Sequence, residues 1–418
     1  MRSMTSESSM SRRSFLKSAT FAAAAAGAFV GARKGFAQDG ALRAGLIGCG
    51  GRGTGAAHQF LEGNENAQVV ALADLFQDRL DGARTSLVND RGQTINDDMC
   101  FIGFDAYEKL IATDVDVVLC ASPPHFRQRE FPAAIAAGKH VFMEKPIAVD
   151  PVSARAIAEA ADLADQKKLS VVVGAQRRHQ ASYIECRQRV LDGAIGDIIG
   201  ARAYWIGGPL GGWDRTDAPT KLGDQIRSWF HFCWLSGDHI VEQHIHNIDM
   251  CLWFMDKNPV DAVGMGYRAR KTFGDSYDFF SVEFGFDNGV KMESKCRQVV
   301  NCHNDVSEYV VGTKGIANCG GDIWDYSGNR IWNWQGDAPS PYVQEHTDLG
   351  NAIRSEQPIN DAHDVVRACF AAIMGRTSAY TGKKVTWDEI MQAEWKLGPT
   401  EYDVDAEFPI APVPQPGL

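Results

Sequence analysis

The segment VEQHIHNIDM, residues 241–250, carries a glutamate, two histidines and an aspartate within eight positions. Carboxylates and imidazoles at this density do general acid–base chemistry, ligate a metal, or form a polar helix flank with no chemistry. Helical geometry at about 100° per residue separates the side chains. Val241, Ile245, Ile248 and Leu252 form an apolar stripe, Glu242, His246, Asp249 and Trp253 form a second stripe, and His244 falls on the other flank with Cys251. Two histidines spaced H-x-H on a helix splay by roughly 200°, so His239, His244, His246 and Asp249 are not expected to gather round one ion, and no metal is expected. His246, four residues after Glu242, suits a base. A carboxylate neighbour orients an imidazole and stabilises its protonated form as it takes a hydroxyl proton.

A second chemical signal is GLIGCGGRGTG, which places Gly48, Gly50 and Gly53 in the pattern G-x-G-x-x-G. It follows the apolar run LRAGLIG (42–48) and opens a presumed helix. The first glycine allows a tight turn, and the second lets the backbone approach a pyrophosphate at the helix N-terminus. The next apolar run ends at Asp74, twenty-one residues after Gly53, where a carboxylate can accept the ribose hydroxyls of an adenosine. That charge would repel a 2′-phosphate, and no Arg or Lys follows until Arg79, which favours NAD over NADP.

The elements that must position these groups alternate. Apolar runs at 42–48, 67–74, 115–122, 139–145 and 169–176 are separated by helical spacings such as Asp150 to Lys168. This pattern predicts a parallel sheet covered on both faces. From about Gly200 longer alternating strands appear, with Asn288-Gly289 as a hairpin turn, and these read as antiparallel. Helical spacing returns from His363 to Thr377, and the proline-rich end FPIAPVPQPGL reads as an extended surface segment.

Bulk properties exclude other classes. The chain has 418 residues, 44% hydrophobic and 23% charged, enough for about two domains. A net charge of −11 leaves no basic stripe for nucleic acid. The ten cysteines show no CxxC pair, and their pairing cannot be deduced from spacing. Arg12 and Arg13 precede a mild apolar run from about Ala19 to Ala32, too short to span a bilayer as a stable helix. Such a segment resembles a Tat export signal, cleaved after Ala37. The expected organisation is a signal peptide (1–37), a dinucleotide-binding domain (38–172), a substrate and oligomerisation domain (173–400) and a tail (401–418).

At MEKPIAVD (143–150), with ASPPHF (121–126) upstream and EHTDLGNAIRSEQP (345–358) and GRTSAYTGKKVTWDE (375–389) near the end, the sequence resembles the Gfo/Idh/MocA family of NAD(P)-dependent oxidoreductases. The resemblance covers nearly the whole chain after the signal. It implies an α/β protein: an N-terminal Rossmann domain, then a C-terminal α+β domain whose large open sheet is mixed but mainly antiparallel and often forms subunit contacts, hence a homo-oligomer. It implies a sugar, polyol or glycoside substrate. Lys145 would point into the active site, after it a cis bond to Pro146, and would polarise an oxygen as hydride moves. His246 matches the histidine of the family's D-x-x-x-H pattern, with Glu242 in place of the usual aspartate. The expected catalytic set is Lys145, His246 and Glu242. The expected cofactor set is Gly48, Gly50, Gly51, Arg52, Gly53, Asp74, Ser122, Pro123, His125, Glu144 and Lys145. Expected substrate contacts are Arg177, His179, Trp213, His244 and Asp249, with an interdomain salt bridge as the other reading of Arg177 and His179. Trp205, Trp229 and Trp234 are further stacking candidates, the alternative being plain core.

An exported enzyme meets little free NAD, so it would keep the cofactor tightly bound and restore it in each turnover. Three readings stand: an oxidoreductase with retained NAD, whose net reaction can be glycoside cleavage; a plain dehydrogenase with exchangeable NAD(P); and a non-catalytic sugar-binding relative. The first places the protein in the periplasm, with the Tat translocase as its partner during export.

Overall fold

A computed structural model describes residues 40–209 and 219–418. The expected signal segment and Trp213 lie outside the described residues.

Short runs, largely buried except for β3, form the first sheet: β1 (Leu42–Ile47), β2 (Ala67–Asp74), β3 (Cys100–Ile102), β4 (Val117–Cys120), β5 (His140–Met143) and β6 (Val171–Val173). All pairs are parallel, in the order β3-β2-β1-β4-β5-β6. The strand β3 is an addition to the sequence reading, because three partly exposed residues carry no periodicity. The order reverses beside β1, so the loops after β1 and β4 part and leave a crevice between them. Helix Pro151–Lys167 begins where Asp150 accepts a bond from the Ser153 amide (2.7 Å) and the Ser153 hydroxyl answers the Asp150 amide (3.1 Å), a capping box.

The second sheet contains β7 (Ile198–Gly207), β8 (Asp261–Tyr267), β9 (Phe279–Gly285), β10 (Lys291–Gln298), β11 (Asp305–Gly312), β12 (Gly315–Ala317), β13 (Asp322–Asp325), β14 (Arg330–Asn333) and β15 (Val385–Thr386). Its order is β14-β13-β12-β11-β7-β10-β9-β8-β15. The sheet is mixed but mainly antiparallel, as the resemblance implied; alternation alone reads every strand as antiparallel, but β7 and β10 are parallel, because the β9–β10 hairpin inserts beside the strand that enters from the first domain. Helices Ile245–Met255 and Ala362–Thr381 cover one face. The opposite face leaves Val263, Met265, Tyr267 and Phe279 exposed.

The chain then returns to the first domain. Helix Pro341–Arg354 packs on helix Gly51–Gly63, with the Asn64 amide donating to the His346 carbonyl (2.9 Å) and Arg354 donating to Asn64 (2.9 Å). All ten cysteines are unbridged. No described helix is long and apolar enough to cross a membrane.

Candidate active site

The crevice at the strand-order reversal is a cleft of about 310 Å³, walled by the glycine loop, Asp74, Ser122 and Pro123. Its geometry tests the dinucleotide reading. Gly48 has φ +89°, and a Cβ there would lie 2.3 Å from the Ser122 amide nitrogen, while one on Gly53 would lie 1.8 Å from the Gly48 oxygen. Only glycine fits at either place. A Cβ on Gly50 or Gly51 would meet nothing within 4 Å among the described residues, so the space in front of helix Gly51–Gly63 is open. That helix has no acidic residue in its first turn, and its leading N–H groups face this space. Asp74 accepts the Cys49 amide (2.6 Å) on one oxygen and the Phe76 amide (2.8 Å) on the other. Burial raises its pKa against these bonds, and each oxygen keeps a lone pair for a ribose hydroxyl. A pyrophosphate over the helix end and a ribose at Asp74 fit this cradle.

The three loops at the strand ends are tied together. Arg52 donates to the Glu144 carboxylate at 2.5 Å. Arg127, buried, donates to the Glu144 carbonyl (3.1 Å) and to the Ser122 hydroxyl (2.8 Å), and Ser122 donates to Glu130 (2.6 Å). Just beyond β5 the Lys145–Pro146 bond is cis. Lys145 Nζ donates to the Glu242 carboxylate at 2.8 Å and to the Glu242 carbonyl at 2.5 Å.

That second bond overturns the continuous helix expected across 241–253. Helix His239–Glu242 stops, and a new helix, Ile245–Met255, begins after Gln243 and His244. The Glu242 carbonyl would ordinarily accept the His246 amide; it takes Lys145 instead, and the His246 amide reaches only to Gln243 (3.5 Å). The expected stripe of Glu242, His246, Asp249 and Trp253 is therefore broken between Glu242 and His246. Glu242 faces the lysine rather than the imidazole ring, so its expected role as ring partner gives way to holding Lys145. His246, half-buried, stacks on Trp205 with 5.7 Å between ring centres. Burial, then the charges of Lys145 and Arg177, push its pKa well below 6.5 and keep the imidazole neutral.

The remaining expected residues separate. Arg177 stays beside this group, its guanidinium 5.9 Å from the Trp205 ring centre and bonded to Glu308 at 3.0 Å. Asp249, expected at the substrate, is held by Arg178 in a buried bidentate pair at 2.6 and 2.9 Å, with Arg178 also reaching Asp364. His179 is clamped between Asp348 (2.7 Å) and Asp361 (3.1 Å); burial opposes its charge, but the two carboxylates raise its pKa to about 10. Of its two readings, the salt bridge is what the structure contains. His244 is fully buried against Ser294 (2.8 Å), with a pKa lowered by burial to about 3. His125, expected at the cofactor, is also fully buried; it bonds Tyr402 (2.7 Å) and packs edge-on to Trp234.

Sequence reasoning named Trp229 only as a stacking candidate and missed that it and its neighbours form a wall of the dinucleotide cleft. Ile226, Arg227, Trp229 and Phe230 reach it from the second domain, opposite Asp74 and Phe76. Their aromatic cluster RSWFHFCW was visible in one dimension, but no local rule carries it across to the other domain.

Fold and site together define a two-domain, NAD-binding oxidoreductase. The chain belongs to the Gfo/Idh/MocA family: residues 42–175 match the model described as oxidoreductase family, NAD-binding Rossmann fold, and residues 183–318 match the GFO/IDH/MocA C-terminal domain. It is 29% identical over 281 residues to an inositol 2-dehydrogenase of Agrobacterium fabrum, covering 66% of this chain and 73% of that one. Among solved structures, the fold resembles scyllo-inositol dehydrogenase of Lactobacillus casei with bound NAD(H) and scyllo-inositol (TM-score 0.63, 22% identity, 83% of this chain and 99% of that one). It also resembles an aldose-aldose oxidoreductase of Caulobacter crescentus (TM-score 0.66, 20% identity, 82% and 99%).

Proposed function

We propose that this protein oxidises a hydroxyl of a sugar, polyol or glycoside, with NAD kept bound and restored within each turnover. The observation that carries the reading is the Lys145–Glu242 ion pair beside a neutral His246, where the loop after β5 meets the helices His239–Glu242 and Ile245–Met255. Bound NAD supplies the hydride acceptor. The neutral imidazole of His246 takes the hydroxyl proton as the carbinol becomes a carbonyl. The Lys145 ammonium, aimed by Glu242, donates to the reacting oxygen and stabilises its negative charge. Arg177, ion-paired to Glu308, lies beside this group and adds to the positive charge that keeps His246 neutral. The substrate class follows the relatives, whose names include inositol and 1,5-anhydro-D-fructose. The Asp74 carboxylate supports NAD over NADP.

Closed recycling allows two net reactions: coupled oxidation of one sugar and reduction of another, or glycoside cleavage by oxidation, elimination, hydration and reduction. Tat-dependent export to the periplasm belongs to this reading, supported by the Arg12-Arg13 segment, and homo-oligomer assembly by the uncovered face of the second sheet.

The test is to purify the protein without added cofactor, denature it and assay the supernatant for NAD, then incubate native protein with inositols, aldoses and aryl glycosides with and without added NAD. Stoichiometric NAD and turnover without addition are expected. An empty protein that needs added NAD reduces the reading to a plain dehydrogenase. A protein that binds sugar and turns over nothing under either condition is a binding relative.

A further inference from the structure

The far wall of the cleft is more than a boundary. Arg227 makes a bidentate ion pair with Asp78 (2.7 and 3.1 Å), and its guanidinium lies 3.8 Å from the centre of the Phe76 ring. Phe76 and Asp78 follow soon after Asp74, at the N-cap and in the first turn of helix Gln77–Arg91, so this contact crosses from the second domain onto the start of the helix that borders the ribose position. Next to it, Trp229 and Phe230 stack on each other at 3.7 Å and also line the cleft.

The segment bearing these residues is itself held from outside by the C-terminal tail. The Leu222 amide donates to the Ala406 carbonyl (2.9 Å), the Gly223 amide to the Val404 carbonyl (3.0 Å) and the Phe408 amide to the Thr220 carbonyl (2.7 Å). The Gln225 side chain donates to the Phe408 carbonyl at 2.6 Å. The tail in turn is moored to the first domain. Tyr402 bonds His125 at 2.7 Å, packs on Phe104 at 5.3 Å, and lies under the Arg129 guanidinium at 4.7 Å. The Leu397 amide donates to the Asp150 carboxylate at 3.0 Å. The stretch from Leu397 to Phe408, just ahead of the proline-rich end, thus fastens both the cleft loop bearing His125 and the segment 220–225.

The geometry points to a clasp: residues 219–231 close over the adenosine end of the cleft, latched by Arg227 to Asp78 and held shut by the tail segment 402–408, so that cofactor release requires this assembly to open. The inference rests on the retained-NAD reading and names the residues that would accomplish the retention. An exposed ion pair alone holds weakly. Here it closes a segment whose backbone is already paired to the tail, so parting it is coupled to parting the rest.

The experiment measures the dissociation rate of radiolabelled NAD, chased with excess unlabelled NAD, from the full-length protein and from Arg227→Ala, Asp78→Ala and a chain ending at Tyr402. Asp78 lies outside the cleft walls, so it separates latching from direct contact with the ligand. Expected are a rate about threefold faster in Asp78→Ala, about tenfold faster in Arg227→Ala, which also loses the contact with Phe76, no further increase over Arg227→Ala in a variant carrying both substitutions, and a larger increase in the shortened chain. Thermal midpoints of the point variants should stay near that of the parent, which keeps the test valid if the shortened chain fails to fold. A parent that retains NAD alongside point variants that release it equally slowly overturns the clasp and leaves the retained-cofactor reading standing. A parent isolated empty overturns retention; the clasp is then judged by the same rates after loading with labelled NAD, equal rates again overturning it.

Discussion

Lys145 Nζ and Glu242 meet twice, once through the carboxylate at 2.8 Å and once through the main-chain carbonyl at 2.5 Å. One contact sets the lysine's direction, and the other breaks the helix that would have carried Glu242 and His246 on one face. A single side chain from the first domain therefore shapes residues 242–246 of the second.

Lys145→Ala should lower kcat by about 10²- to 10³-fold, through loss of the donor to the developing negative charge, while NAD content stays at the parental level. Glu242→Gln should fall between the two, because the carbonyl contact survives. Single-turnover reduction of bound NAD, followed by absorbance, checks both. Near-normal rates in Lys145→Ala would remove this residue from the reaction.

Burial, Lys145 and Arg177 hold the His246 pKa well below 6.5. A base needs its neutral form, so the limb of kcat/KM governed by this residue is lost only as pH falls through that lowered pKa. Activity should be flat from about pH 7.5 down to about 6. Lys145→Met removes one positive neighbour, so the residual activity should show its acid limb displaced to higher pH. A parental profile that already falls by half near pH 6.5 contradicts the electrostatics.

His179 binds its proton more tightly in the folded state, with a pKa of about 10 against an ordinary 6.5. Its contribution to stability is complete below 6.5 and is lost as pH rises from there through about 10. Urea unfolding should show a midpoint declining over that interval, and His179→Gln should be less stable at neutral pH with a flatter decline. Equal slopes would sever the link.

The Asp249–Arg178 pair is buried and bidentate, so Asp249→Ala leaves a guanidinium short of a partner and should destabilise the fold by about 3 kcal/mol. The KM for sugar should hold steady at a temperature where the variant is folded. A raised KM without loss of stability would return Asp249 to the substrate site.

Asp74→Ser removes the charge that opposes a 2′-phosphate. The affinity ratio of NAD to NADP should drop about tenfold, measured by equilibrium binding to cofactor-stripped protein.

Glycines at 48, 50 and 53, the carboxylate at 74 and the lysine at 145 were all legible in one dimension. Each belongs to a strand–loop–helix unit whose geometry is set by neighbours in the chain, and the apolar runs specify which loops lie at the strand ends. The family motifs rest on the same local order. Residues 241–253 show where that logic stops: their spacing fits one unbroken helix, and only a lysine 97 positions earlier in the chain explains why the helix parts. Arg177, Arg178 and His179 look equally available to a substrate until the tertiary structure brings Glu308, Asp249, Asp348 and Asp361 against them. The cleft wall of Arg227, Trp229 and Phe230 and the moored tail were beyond local reading for the same reason. Backbone geometry and apolar periodicity act over a few residues, whereas the pairing of a charge is decided by whatever distant segment the fold carries to it.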